Sequence, residues 1–313
     1  MRVVEDAWNA AHPARGTVAT IGNFDALHRG HQALIRGVVE RARGVGTEAG
    51  LITFEPHPVQ VLHPEAGLRR LTTRDQKLAL LDAQGIDTVF LVRFDRRLAD
   101  VEASVFADDF LGQRLAVREI HVGRRFRFGR GRAGDLALLQ ETGARRGYRA
   151  IGIDEVIADG APVSSTRIRE AVAAGEVELA TGLLGRPYAV EGTVVAGDGR
   201  GRQLGWPTAN LELSSELPPA RGVYVAEAIR PDGARHPAAV NVGVRPTVGG
   251  NPSQPMVEAH LLDFAGDLYG RPLELAFLRR LRGEERFADL DALKQQIGRD
   301  VEAVREYFAL TRR

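Results

Sequence analysis

Thr20-Ile21-Gly22-Asn23-Phe24-Asp25-Ala26-Leu27-His28-Arg29-Gly30-His31 carries the chain out of a short apolar run, residues 17–22, and into a stretch of helical spacing, residues 31–43. A strand that turns directly into a helix leaves unpaired amides and the positive end of the helix dipole at the turn, where an anion is best held. His28 and His31 are three residues apart and share a face once the helix begins. Gly30 between them adds no side chain that would keep a phosphate away. The alternative is that one histidine caps the helix while the other packs on the strand.

Outward from this turn, apolar runs at 50–54, 88–92, 120–123 and 150–153 read as buried strands, and helical patterns at 74–84, 103–115 and 136–146 lie between them. Such alternation predicts a parallel sheet covered by helices on both faces, with ligands at the carboxyl ends of the strands. Two short helical patterns follow at 165–174 and 177–184. Beyond Gly185-Arg186-Pro187 the pattern changes to strands punctuated by Gly and Pro, at 189–195, 222–229, 237–242, 256–262 and 272–279. That predicts a small antiparallel barrel or sandwich. A last helix is expected over 289–310, with Leu290, Leu293, Ile297, Val301, Val304 and Phe308 at helical spacing. The change of period divides the chain into domains at 1–185 and 186–313.

Composition narrows the chemistry. The 313 residues suffice for about two domains, and 44% hydrophobic with 27% charged is an ordinary globular balance. Forty-two basic against 41 acidic residues give +1, so no strong net field draws the molecule onto nucleic acid or an anionic membrane. The absence of cysteine excludes disulfides, thiolate nucleophiles and Cys-based metal sites. Glu5 and Asp6 stand where a signal peptide needs an apolar core, and the longest run without Asp, Glu, Lys or Arg is twelve residues, 246–257. A cytoplasmic protein is expected. Only Lys77 and Lys294 are lysines, and neither follows a glycine, so the phosphate-loop pattern is absent. Gly129-Arg130-Gly131-Arg132-Ala133-Gly134 matches GxGxxG but comes late and well after its strand, unlike a dinucleotide fingerprint. Residues 114–132 hold seven arginines against one Glu. The default for such a run is a solvated loop, with a phosphate-facing role as the alternative.

A second informative stretch is Gly192-Thr193-Val194-Val195-Ala196-Gly197-Asp198-Gly199-Arg200-Gly201-Arg202-Gln203-Leu204-Gly205-Trp206-Pro207-Thr208-Ala209-Asn210-Leu211. It reads as a strand, a glycine-rich basic turn and a Pro-pinned segment presenting a hydroxyl and an amide. Such turns offer backbone amides to phosphates, and Thr and Asn oxygens suit Mg²⁺ with its waters. A hairpin with glycines at positive φ is the competing reading.

The first stretch resembles the HxGH signature of nucleotidylyltransferases, and Val163-Ser164-Ser165-Thr166-Arg167-Ile168-Arg169 resembles the SSTxIR motif of the same superfamily. Gly-Arg-x-Leu-Gly-x-Pro-Thr-Ala-Asn, within 201–210, resembles the riboflavin kinase signature. Asn241-Val242-Gly243-Val244-Arg245-Pro246-Thr247, Val257-Glu258-Ala259-His260, Leu281-Arg282-Gly283-Glu284-Glu285-Arg286-Phe287 and Phe54-Glu55-Pro56-His57-Pro58 agree in order. The chain is thus similar, over nearly its whole length, to the bacterial bifunctional riboflavin kinase and FMN adenylyltransferase family.

The resemblance implies a Rossmann-like nucleotidylyltransferase domain with a parallel sheet, then an antiparallel β-barrel with a C-terminal helix. It implies phosphorylation of riboflavin by ATP with Mg²⁺ in the barrel, and transfer of AMP to FMN in the N-terminal domain with loss of pyrophosphate. Riboflavin, FMN, FAD and ATP are then the ligands, with no nucleic-acid or membrane partner. Glu258 is the implied kinase base, with Thr208 and Asn210 on the metal; His28 and His31 serve adenylyl transfer. Nucleotide contacts fall to Gly22, Asn23, Phe24 and Gly30, and to Ser164, Ser165, Thr166 and Arg167. In the barrel they fall to Gly197, Arg202, Gly205 and Pro207, while His57 and Arg282 are implied on the flavin.

Two positions depart from the family pattern. Ala26 replaces the glycine of Phe-Asp-Gly, a mild change unless φ is positive there. Arg124 and Arg125 stand where the family has acidic or amide residues, and Arg125 is expected on phosphate. A kinase whose N-terminal domain is impaired in adenylyl transfer, and a basic-loop nucleic-acid binder, are the competing functions; 6% aromatic residues and near-neutral charge oppose the latter.

Overall fold

The computed structural model describes residues 1–10, 16–197, 199, 201, 204–244 and 255–311. They group into two compact units, one of residues 1–70 with 74–164, the other of residues 71–73 with 165–313.

In the first unit, β1 (Arg2–Val4), β2 (Val18–Ile21), β3 (Ala49–Glu55), β4 (Thr88–Arg93), β5 (Glu119–Gly123) and β6 (Arg149–Ile153) form one sheet in the order β1-β4-β3-β2-β5-β6. Every pairing in it is parallel. Parallel strands need crossovers. The chain supplies α1 (Arg29–Gly44), α2 (Pro58–Leu62), α3 (Arg74–Ala83), α4 (Arg96–Ala99), α5 (Ala103–Val105) and α6 (Leu136–Arg146). Successive strand residues feed opposite faces: Ala19 and Ile21 join Phe106, Phe110 and Leu111, while Val18 joins Ile35, Val38 and Leu81. The strand order reverses between β2 and β5, so the switch point of the sheet lies at the exit of β2, where the histidine turn begins.

The expected helix over 103–115 is α5 followed by a π-helical segment, Phe106–Arg114. There Leu115 N–H donates to Phe110 O at 2.9 Å, five residues back. The extra residue in the turn brings Phe106, Phe110 and Leu111 into one core.

Under the last turn of α1 lies a buried polar cluster. Arg41 Nη2 is 2.6 Å from Glu119 Oε1, and His121 Nε2 is 3.2 Å from Glu119 Oε2. The Arg41 hydrogen bonds, helped by His121, pull the Glu119 carboxyl down to about 2. Burial pushes His121 below its ordinary value.

A short antiparallel pair, β7 (Ile157–Ala158) with β8 (Ala161–Pro162), ends the first unit, and the second opens with α7 (Ser165–Ala174) and α8 (Val177–Leu184). Then β9 (Tyr188–Val195), β10 (Ala209–Leu213), β11 (Gly222–Ile229), β12 (Arg235–Val244), β13 (Pro255–Leu261) and β14 (Pro272–Arg282) close into a barrel in the order β10-β13-β12-β11-β14-β9. The alternative of barrel or sandwich is thereby resolved. Alternation is visible in β9, where Tyr188, Val190, Gly192 and Val194 are buried and their neighbours half-buried. The C-terminal helix, α9 (Leu290–Thr311), packs Ile297, Val301, Val304 and Phe308 against Val225, Ala239, Leu262 and Trp206 on an outer face of the barrel.

Candidate active sites of the two units

In the first unit, the turn from β2 to α1 is built from unusual backbone. Phe24, Ala26 and Leu27 have φ of 49°, 73° and 45°, in the left-handed region that side chains with a Cβ occupy at a cost. The turn is held from outside: Thr53 Oγ1 donates to Asn23 O at 3.1 Å, and Gln32 Nε2 donates to Leu27 O at 2.8 Å. At its end His28 is the N-cap of α1, its Nδ1 accepting the backbone N–H of His31 at 3.3 Å. The two imidazoles stack with centroids 3.6 Å apart, and Phe24 lies 5.0 Å from the His31 ring.

Both readings of the histidine pair therefore hold at once, since His28 caps the helix and the pair still shares one face. His31 Nδ1 is enclosed without a hydrogen-bond partner among the described residues. Burial, then the neighbouring His28 ring, holds His31 well below the ordinary histidine value, so it stands neutral. Gly30 has a structural cause: a Cβ there would fall 3.1 Å from the His28 ring and 3.8 Å from Val163 O. The chain entering Ser164 thus passes beside Gly30. At Gly22 a Cβ would meet the Phe24 ring at 3.3 Å.

His57 caps α2, its Nδ1 accepting Val59 N–H at 3.2 Å, two residues after Glu55 at the end of β3. Four arginines of the run have acidic partners: Arg124 with Asp154, Arg125 Nη1 with Glu155 Oε2 at 3.3 Å, Arg127 with Asp135, and Arg130 with Glu102. The reversal at 124–125 is thus matched by two acids just beyond β6. The Arg125 side chain is 80% exposed.

In the barrel, register does what no local motif shows. Glu258 on β13 is directly opposite Asn210 on β10 and, on its other side, Asn241 on β12. Directly paired residues share a face, so a carboxyl stands between two amides. The neighbours Val257 and Ala259 point into the core, while Glu258 is half-buried. A Cβ at Gly197 would lie 2.2 Å from Asn210 Nδ2, so only glycine allows that amide its place. Glu284 Oε1 comes within 2.6 Å of where a Gly243 Cβ would stand.

Pro207 and Thr208, which lead into β10, join Ala259, Phe264, Leu268 and Tyr269 in lining a pocket of about 360 Å³. Gly205 takes a φ of 96° in the turn before it. Arg282 is bound to Asp300 of α9, Nη2 to Oδ2 at 2.7 Å, and stands over the Phe287 ring. Arg202 lies outside the described residues. The cradle around Asn210 and the neutral oxygen donors of Thr208 and Asn210 fit Mg²⁺ shared with phosphate oxygens. Among the described residues no group of three His, Asp or Glu forms a competing metal centre.

Sequence reasoning singled out neither Asn241 nor Glu284, although both stand in motif strings. It also passed over Lys77, whose Nζ is 3.7 Å from Glu55 Oε2.

The fold and the two clusters define a nucleotidylyltransferase-type α/β unit joined to a barrel of the riboflavin kinase type. The family model described as FAD synthetase matches residues 10–167, and that described as riboflavin kinase matches residues 184–308. The bifunctional riboflavin kinase/FMN adenylyltransferase of Escherichia coli (strain K12) is 42% identical, covering 100% of this chain and 99% of the relative. That of Pseudomonas fluorescens is 43% identical over 99% and 98%. A solved structure from Streptococcus pneumoniae, described as a macrolide-efflux protein, superposes with a TM-score of 0.86 at 28% identity, over 97% of this chain and 98% of that one. Among the described residues no helix is long and apolar enough to cross a membrane. The chain belongs to the bifunctional riboflavin kinase/FMN adenylyltransferase family.

Proposed function

We propose that the barrel phosphorylates riboflavin and that the α/β unit converts the resulting FMN to FAD, both from ATP. The observation that carries this reading is the presence, in one chain, of the Asn210–Glu258–Asn241 row and the stacked His28–His31 turn. In the kinase step the ribityl 5′-hydroxyl attacks the γ-phosphorus of ATP, ADP leaves, and Glu258 takes the hydroxyl proton. The pocket beside Pro207 and Thr208 takes the apolar part of the nucleotide, while Gly197 and Gly205 face its phosphates and the Arg202 charge serves the same phosphates. Mg²⁺ held by Thr208 and Asn210 supplies charge neutralisation on those phosphates. Arg282, fixed by Asp300, borders the flavin.

In the second step a phosphate oxygen of FMN attacks the α-phosphorus of ATP and pyrophosphate leaves, with no enzyme nucleophile. His28 accepts through Nδ1 and so presents Nε2–H to the phosphates, joined by the amides of Asn23 and Phe24, while Gly22, its own amide bound to Ile52 O, lets the phosphates approach the turn. Ser164, Ser165, Thr166 and Arg167, at the start of α7, offer hydroxyls and a guanidinium to the same class of anion. His57 serves the flavin, and residues 1–185 and 186–313 form the two functional domains. The ligands are small molecules, and the protein works in the cytoplasm. The test is incubation of the purified chain with riboflavin, ATP and Mg²⁺, with chromatography of the flavins. FMN followed by FAD is expected; accumulation of FMN alone defines an N-terminal domain without adenylyl transfer.

A further inference from the structure

Glu55 ends β3 at the carboxyl edge of the parallel sheet and faces two cations, Arg70 Nη1 at 2.7 Å from Oε1 and Lys77 Nζ at 3.7 Å from Oε2. Lys77 stands on α3 and is 8% exposed. Its ammonium also feels the charge of Asp25, a carboxyl only 4% exposed that lies three residues before His28. Lys294, the one other lysine, is on the surface. A buried ammonium is retained only where carboxylates compensate its lost hydration. Here the two carboxylates belong to different segments, the exit of β3 and the turn that carries the histidines. That turn holds three non-glycine residues at positive φ, a state that persists only where the surroundings over-determine it.

We infer that Lys77 is a positioning residue for adenylyl transfer: paired with Glu55 on a helix whose Leu78 and Leu81 pack with Phe24 and Leu27 of the histidine turn, it fixes where His28 and His31 meet the triphosphate. This rests on the histidine turn being the adenylyl site. Misplacement of about 1 Å costs on the order of 100-fold in rate, so Lys77→Met should lower kcat for FMN to FAD between tenfold and 100-fold while leaving the KM for ATP within about threefold. Riboflavin phosphorylation by the same preparation should be unchanged, which also reports folding. The charged groups that act on Lys77 are Glu55, its ion-pair partner, together with Asp25 and Arg70. Burial holds its pKa below the ordinary lysine value of 10.5 despite both carboxylates. FAD synthesis should therefore fall on the alkaline side below that value as the ammonium loses its proton, and Lys77→Arg, which keeps its charge, should remove that limb and retain most of the rate.

Lys77→Met with parental kcat, or Lys77→Arg with the parental alkaline limb, overturns the inference. If Lys77→Met does not fold, the profile of Lys77→Arg decides alone. The double variant His28→Ala/His31→Ala separates the two readings: full FAD synthesis by that variant refutes the site itself, whereas its loss together with an unaffected Lys77→Met refutes only the role of Lys77.

Discussion

His28 and His31 lie ring on ring, their centroids 3.6 Å apart and their planes inclined by 16°, while the His31 backbone N–H is bound to His28 Nδ1. Two stacked imidazoles at this distance disfavour double protonation, and capping occupies the nitrogen that a second proton on His28 would need. The free enzyme thus holds a neutral pair whose Nε2–H is ready for an anion. Because burial holds His31 well below 6.5, the neutral form survives to lower pH than in an ordinary histidine. The acid limb of kcat/KM for FAD synthesis, which reports the free enzyme, should accordingly lie below 6.5. A rate that rises as pH falls through 6.5 shows instead that the imidazolium is the active form.

Glu258→Gln keeps the shape of the row between Asn210 and Asn241 and removes the proton acceptor. FMN formation should drop by roughly two to four decades, the range of general-base catalysis. Externally supplied FMN should still become FAD at the parental rate. Equal loss of both activities, measured on one preparation, refutes the assignment.

Much of the fold is readable from periodicity, because α6, α7, α8 and β11 are long or sharply bounded by Gly and Asp. β1 escapes notice, since three residues ending before Glu5 and Asp6 carry no period and gain their place only by pairing with β4. β10 escapes because Pro207 and Thr208 read as a turn whose strand begins one residue later. At the sites, motifs supply residue types and local spacing, as for His28 and His31. The neighbours of Glu258 depend on barrel register, which relates it to residues 17 and 48 positions away. The sign of φ at residue 26 was equally beyond a reading of spacing.

That φ, 73° at a residue 1% exposed, makes Ala26 a test of the turn. Relief of left-handed strain by glycine gives about 1–2 kcal/mol, offset by about 0.4–1 kcal/mol of unfolded-chain entropy and by loss of a buried methyl worth about 0.8 kcal/mol. Ala26→Gly should therefore leave the melting temperature nearly unchanged and FAD synthesis intact. Ala26→Val adds a β-branch that the left-handed region rejects, and FAD synthesis should fall while riboflavin phosphorylation persists. A valine variant with full FAD synthesis shows that the turn is not held to this geometry.

Glu119 supplies a stability prediction independent of either activity. Its carboxyl is 1% exposed and drawn from 4.5 to about 2, chiefly by Arg41. A depressed acid stabilises above its unfolded value and loses that contribution as pH falls toward the folded one; the shift corresponds to about 3 kcal/mol. The parent should lose melting temperature steeply between pH 4.5 and about 2, and Glu119→Gln should be less stable at pH 7 with a shallower slope below 4.5. Parallel curves for the two chains refute the role of Glu119.

Arg125 stands where the family resemblance implies an acid or amide, and its surroundings separate two outcomes. The side chain is 80% exposed and touches Glu155 through Nη1 at 3.3 Å. An exposed ion pair of that kind contributes about 0–1 kcal/mol, so Arg125→Ala should leave the melting temperature within about 2 °C. A guanidinium carries five donors, and one contact to Glu155 leaves the others for phosphate oxygens. A charge-assisted hydrogen bond is worth about 1.5–3 kcal/mol, which converts to a loss of roughly one to two decades in kcat/KM for FAD synthesis in Arg125→Ala. Riboflavin phosphorylation should not change, because its chemistry lies in the barrel. An alanine variant that synthesises FAD faster than the parent makes the arginine an impediment, neutralised in part by Glu155, and Glu155→Gln should then slow the parent further.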